Sequence, residues 1–183
     1  MEKKNLALIW VIIQVVLTAG LILLTKHVFG LGIEPLNFSY QILLASVIYL
    51  LIYALIKEPK ALISVDKKSL LAIVLIGIIG GAIAYGLGFL GLQKSTAINY
   101  AFLIQTTVFF TPVLAFFFLK EHLKPYKTLL IFALLLGAYL VSTNGKLIFP
   151  KTGDLYILFG SIAFSSGIIL TKIALRKVPP LAF

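Results

Sequence analysis

Charge is absent from six long stretches of the chain and is gathered between them. The charge-free runs cover residues 5–25, 35–56, 69–93, 95–119, 128–145 and 155–171. A helix of about 20 apolar residues crosses the roughly 30 Å hydrocarbon layer of a bilayer, and the two shortest runs can borrow neighbours at either end. An all-α, polytopic bundle of six membrane-spanning helices is therefore expected. Punctuation between the runs agrees. Gly30, Gly32 and Pro35 separate the first two runs, and Pro59 follows the second. Ser69 and Thr128 stand where N-caps for spans three and five would fall. In the second half the longest turn-like stretch is Asn144 to Asp154, with two glycines and Pro150, the best candidate for a boundary.

Composition sharpens this picture. Of 183 residues 61% are hydrophobic and only 12% charged, and the mean hydropathy is +1.09. A soluble domain is about one quarter charged, so a soluble core is excluded. The six acids, Glu2, Glu34, Glu58, Asp66, Glu121 and Asp154, all lie outside the apolar runs. A net charge of +10 would suggest nucleic acid in a soluble protein. Here the basic residues sit between spans, where the positive-inside effect accounts for them, and no nucleic-acid partner is expected.

Twelve of the 16 basic residues fall in alternate segments: Lys3 and Lys4; Lys57, Lys60, Lys67 and Lys68; Lys120, Lys124 and Lys127; Lys172, Arg176 and Lys177. Only Lys26, Lys94, Lys146 and Lys151 lie on the other side. This bias places the N-terminus in the cytoplasm of a plasma or inner-membrane protein. Residues 1–25 have the basic start of a signal peptide, but the run is long and five more follow, so it reads as span one. With no cysteine, disulfides, thiolate metal sites and palmitoylation drop out.

An internal repeat gives the boundary meaning. Leu23-Leu24-Thr25-Lys26 is followed nine residues on by Pro35-Leu36-Asn37-Phe38. Ile169-Leu170-Thr171-Lys172 is followed eight residues on by Pro180-Leu181-Ala182-Phe183. The Thr-Lys pair, the Pro-Leu-x-Phe and their spacing carry the match. One repeat then occupies 1–147 with five spans, and 148–183 holds span six and the beginning of span seven. An odd number of spans turns the second copy over. Inverted repeats are a recurring plan of secondary transporters, with the substrate bound near the midplane. On this reading four helices of the second copy are missing from the sequence.

Further residues carry a resemblance. Spans three to five read Gly80-Gly81-Ala82-Ile83-Ala84-Tyr85, Gly91-Leu92-Gln93-Lys94-Ser95-Thr96-Ala97, Thr111-Pro112, Phe118-Leu119-Lys120-Glu121-His122-Leu123 and Gly137-Ala138. This resembles the EamA-type repeat of the drug/metabolite transporter superfamily, over essentially all of 1–147 and the opening of the second repeat. The resemblance implies ten helices in two inverted five-helix halves and the movement of small organic metabolites or drugs, by export. Gln41 stands where many members have an arginine.

Polar groups inside hydrocarbon are costly and face partner helices or a cavity. In span one Trp10, Gln14, Thr18 and Thr25 fall within about 80° of one another at about 100° per residue. Two readings stand: a cavity stripe in which Gln14 bonds substrate and Trp10 stacks on it, or helix packing with back-bonded hydroxyls. In span four Thr96, Asn99, Thr106 and Phe110 share a face while Gln105 points elsewhere. Asn99 and Thr106 either line the same cavity or bond between helices. Tyr85, in mid-span among glycines, is the best single aromatic candidate. Gly77 and Gly81 form a small-x-x-x-small pair for close helix packing or a hinge. Pro112 should kink span four. Glu121, among basic neighbours, reads as a helix-end salt bridge or a coupling site. Phe116, Phe117 and Phe118 read as lipid-facing bulk.

No carboxylate lies well inside a span, so an embedded acid relay is not expected. His27 and His122 have no metal-ligand companions, and Gly145-Lys146 lacks the upstream glycine of a phosphate loop. No catalytic arrangement suggests hydrolysis, and no cofactor or metal is expected. The reading is a transporter working by alternating access around a site lined by spans one, three, four and six. The partners expected are the lipid bilayer, a small-molecule substrate, and remaining C-terminal helices or a second subunit. The alternatives are a non-transporting membrane subunit or scaffold and, with less support, an intramembrane enzyme. Reporter fusions at both termini should show a uniformly cytoplasmic N-terminus. Mixed signals there would overturn the topology.

Overall fold

Inside a bilayer no water is present to bond backbone N–H and C=O groups, so an apolar run satisfies them by becoming a helix. The computed structural model of the chain describes residues 2–57, 67–122, 125–143 and 151–175, and every regular element among them is helical. Helix α1 is Glu2–Gly30, α2 is Pro35–Lys57 and α3 is Lys67–Ile76. A π-helical stretch, Gly77–Ile83, joins α3 to α4, Ala84–Lys94. Helices α5, Ala97–Ile104, and α6, Thr107–Leu119, make up the next span. Helix α7 is Pro125–Thr143 and α8 is Thr152–Ala174.

Five segments are long and apolar enough to cross a membrane: Leu6–Gly30, Pro35–Lys57, Ser69–Lys94, Ala97–Leu119 and Thr152–Ala174. Helix α7 carries a shorter apolar stretch, Thr128–Gly137. The result is the polytopic helical bundle that the charge-free runs predict.

Helix starts differ from expectation. Pro35 and Pro125 open α2 and α7, where a residue without an N–H loses no helical bond. Ser69 and Thr128 therefore lie inside α3 and α7 rather than ahead of them. Asp154 Oδ2 accepts from Lys151 N at the start of α8, and Thr96 is an N-cap, its Oγ1 accepting from Asn99 N at 3.1 Å. At the far end of that span Lys120 closes α6 in the left-handed region, with φ 55°. Pro59, the 144–150 stretch and the second Pro-Leu-x-Phe lie outside the described residues.

Span four also departs from its expected shape. Helix α6 continues through Pro112, and the interruption falls earlier, at Gln105 and Thr106. There the bonds tighten to i−3: Gln105 N to Phe102 O, Thr106 N to Leu103 O and Val108 N to Gln105 O. The pyrrolidine ring presses on the carbonyl four residues before it, so the strain is relieved in the turn preceding Val108.

Helix α8 is the most enclosed of the described spans, burying Gly153, Asp154, Ile157, Gly160, Ser161, Ser165, Gly167 and Ile169. It runs antiparallel to the third span, because Gly167 meets Gly80 while Gly160 meets Gly88. These are backbone contacts. A Cβ built on Gly167 would lie 2.5 Å from Gly80 Cα, and one on Gly160 would lie 3.0 Å from Ala84 O and 3.1 Å from Gly88 N. Lipid tails are as apolar as leucine, so helices associate in membranes through such close van der Waals contact. The expected pair is shifted: Gly77 has nothing within 4 Å, and Gly81 meets only Leu43 Cδ2 at 3.8 Å.

Next to the glycine seam an aromatic cluster ties in α1 and α2. Phe29, Phe89, Leu92, Tyr100 and Ile157 are buried together. Phe29 and Phe38 meet edge-on at 5.5 Å, and Phe89 lies 5.9 and 5.6 Å from them. Most large apolar side chains of α1, α2 and α7, and Phe116 to Phe118, remain exposed. In a bilayer that surface belongs against lipid.

Replacing Gly167 by Val should lower stability by about 2–3 kcal/mol through overpacking against backbone that cannot yield. Gly77→Ala should be neutral or stabilising by up to about 1 kcal/mol. Thermal unfolding in detergent micelles distinguishes them, and equal effects would show that the seam is misplaced.

Candidate functional site

Span one and span four frame a groove of about 480 Å³. Gln14 and Thr18 enter it from α1, and Gln105 enters from the break after α5. Its remaining walls are aliphatic, with Ala19, Ala97 and Ala101 leaving the room. Behind it lies a smaller cavity of about 100 Å³ between α4, α5 and α8, lined by Tyr85, Tyr100, Ser161 and Phe164 among others. Ile104 borders both.

The predicted residues separate in this frame. Gln14 and Thr18 face the groove and Tyr85 faces the cavity. Tyr85 packs 5.9 Å from Phe89 and edge-on at 6.4 Å from Phe164. Trp10 is 63% exposed and lines neither space. Asn99 also lines neither; its backbone completes the Thr96 cap. Thr106 Oγ1 donates to Leu103 O at 2.6 Å, within its own span. Gln105, expected to point away, is the residue that reaches the groove, because the tight turn at 105–106 shifts the phase of the helix. Gly77 and Gly81 line a cleft beside Gly167, Thr171 and Lys172. Glu121 forms an ion pair with Lys172, and both side chains are about half exposed.

Sequence reasoning missed the hydroxyls that join α8 to span four. Thr111 Oγ1 donates to Ser165 Oγ at 3.1 Å, and Ser161 Oγ, which also bonds Ile157 O in its own helix, donates to Leu103 O at 3.4 Å. It also missed a network at the end of the bundle where α1 finishes. Lys26 Nζ donates to Leu92 O at 2.8 Å, Gln93 O at 2.9 Å and Ser95 O at 2.6 Å. All three ammonium protons are used. The carbonyls at the end of α4 have no partner in their own helix, and a cation there also meets the negative end of the helix dipole. Ser95 Oγ in turn donates to Asp154 Oδ1 at 2.7 Å, while Asp154 Oδ2 accepts from Lys151 N at 3.0 Å. Beside it Lys94 Nζ lies 5.1 Å from the Tyr156 ring centre. Lys26 and Lys172, each preceded by a threonine, lie at opposite ends of the bundle.

The residues that build this frame coincide with a known pattern. The profile described as the EamA-like transporter family matches residues 5–143. The chain belongs to that family.

The EamA-like family is one of membrane transporters in the drug/metabolite superfamily rather than of enzymes, and the chain is a multi-pass membrane protein. It is also 26% identical, over 164 residues, to the uncharacterized transporter YyaM of Bacillus subtilis (strain 168). That alignment covers 87% of this chain and 53% of YyaM, so the chain spans about half the length of this relative. No solved structure matches it. The family match takes in α1 to α7 and ends before α8, the helix that packs along the third and fourth spans. Among the described residues no group of histidines or acids could hold a metal ion.

Lys26→Met should destabilise the bundle by about 2–3 kcal/mol, since it strips charge-assisted bonds from three carbonyls. Glu121→Gln, at an exposed pair, should cost less than about 1 kcal/mol. Melting temperatures of the two variants test this, and the reverse order would refute the assignment.

Proposed function

We propose that this chain is the substrate-binding half of a secondary transporter that exports small organic metabolites or drugs by alternating access. The supporting observation is the groove between α1 and span four, which carries Gln14, Thr18 and Gln105 in an otherwise aliphatic wall. Its depth can be counted from the Lys26–Ser95 contact. Gln14 is 12 residues from Lys26 and Gln105 is 10 from Ser95. At about 1.5 Å per residue both lie roughly 15–18 Å from that end, near the middle of a hydrocarbon layer about 30 Å thick. Substrate sites between the halves of inverted-repeat transporters occupy that depth.

In this reading residues 1–147 form one five-helix half, and 148–183 begin a second, inverted half. The N-terminus is cytoplasmic and the membrane is the plasma or inner membrane. Tyr85 is a stacking surface next to the groove, and the π-helical stretch with Gly77 and Gly81 is the place where span three can flex. Trp10, Asn99 and Thr106 are secondary contributors at most, because none lines the groove. A second reading is a subunit acting only with a partner.

Proteoliposomes carrying the chain, alone and with a co-expressed second five-helix half, test both readings. Radiolabelled amino acids, nucleosides and amphipathic drugs serve as probes. Flux of at least one class above protein-free vesicles is expected. Flux only with the added half identifies the partner-dependent form, and flux of none in either preparation overturns the transporter reading.

A further inference from the structure

Two carboxamides open to a groove at mid-membrane depth are an unusual investment in polarity. Gln14 and Gln105 are both exposed, and neither side chain bonds another described residue. Each offers two N–H donors and a carbonyl acceptor. In hydrocarbon an unpartnered amide is penalised by several kcal/mol, so such groups persist where a ligand, water or another helix satisfies them. Thr18, about one turn beyond Gln14, adds a hydroxyl that can donate or accept. The lining holds no charged residue at all. Lys26 and Lys94 are engaged at the end of the bundle with backbone carbonyls and with the Tyr156 ring.

This chemistry selects a class of occupant. An ion entering the groove would shed hydration without meeting a counter-charge, a loss that neutral amides do not restore. An uncharged solute with both donors and acceptors gives up only ordinary hydrogen bonds to water and regains them from Gln14, Thr18 and Gln105. We propose that these three residues form a binding site for a net-uncharged, hydrogen-bonding solute, with the facing carboxamides excluding ions. This rests on the transporter reading above and narrows its substrate class.

The test uses two charge series on nearly constant shapes. Nicotinate, nicotinamide and 1-methylnicotinamide carry −1, 0 and +1 on one ring, and uridine is set against uridine 5′-monophosphate. Binding to the purified chain in nanodiscs is measured by equilibrium dialysis of radiolabelled probes. Uncharged members should bind at least tenfold more tightly than charged ones. Gln14→Ala and Gln105→Ala should each weaken uncharged-probe binding about five- to tenfold, the worth of one net hydrogen bond. Gln105→Glu should instead turn preference toward 1-methylnicotinamide, a gain that misfolding cannot imitate.

The proposal is overturned if charged members bind as well as uncharged ones, or if no uncharged probe binds. It is overturned equally if the alanine variants keep full affinity, whether or not they lose thermal stability. Flux separates this site from the reading it rests on. Binding without flux in either reconstitution removes the transporter and leaves the site, whereas flux indifferent to both glutamines removes the site and leaves the transporter.

Discussion

The bundle depends on how closely the backbone of α8 approaches that of the third span. At Gly80 against Gly167 no room exists for a Cβ, and a Cβ on Gly160 would crowd Ala84 O and Gly88 N at 3.0 and 3.1 Å. This contact brings the two axes close enough for Ile157 to enter the cluster of Phe29, Phe89, Leu92 and Tyr100. It also brings Ser161 and Ser165 within reach of span four. In water a hydrophobic core would gather such helices by itself, but in lipid the drive comes from contact and hydrogen bonds. Small residues therefore matter more here than large ones.

The two ends of the bundle are held differently. Where α1 ends, Lys26, Ser95 and the buried Asp154 make a continuous set of bonds that joins three helices through the 94–97 turn. At the opposite end Glu121 and Lys172 meet in an exposed ion pair, an arrangement of small energetic worth. The two ends of the bundle therefore differ in how strongly their helices are joined. The groove of Gln14 and Gln105 lies between the two ends, with aliphatic walls in which Ala19, Ala97 and Ala101 leave room.

Several features were legible in the residues because they depend on local chemistry. Charge-free runs must be helical and must sit in lipid, and the short Gln-Lys-Ser-Thr-Ala turn with its neighbours carried the family resemblance that the match over residues 5–143 shows. Helix starts were less legible, because Pro125 can open α7 three residues ahead of Thr128, which then lies inside the helix. Pro112 marked a distortion, but the backbone released it nearly two turns earlier, and that displacement brought Gln105 rather than Asn99 to the groove. Helical-wheel arithmetic assumes a constant 100° step, which fails across a 3₁₀-like turn.

The residues alone determined that this chain is a multi-pass helical membrane protein with its acids kept out of the apolar runs and its Thr-Lys motif repeated. Those properties follow from the cost of exposing charge or unbonded backbone to hydrocarbon, which each segment faces alone. Tertiary structure decided which glycines are contacts, that Lys26 caps another helix, and which glutamines share a space. Each of these is a relation between segments tens of residues apart, and rotation of an apolar helix about its axis leaves no trace in its composition. Only the packing of α8 against its neighbours settles that rotation.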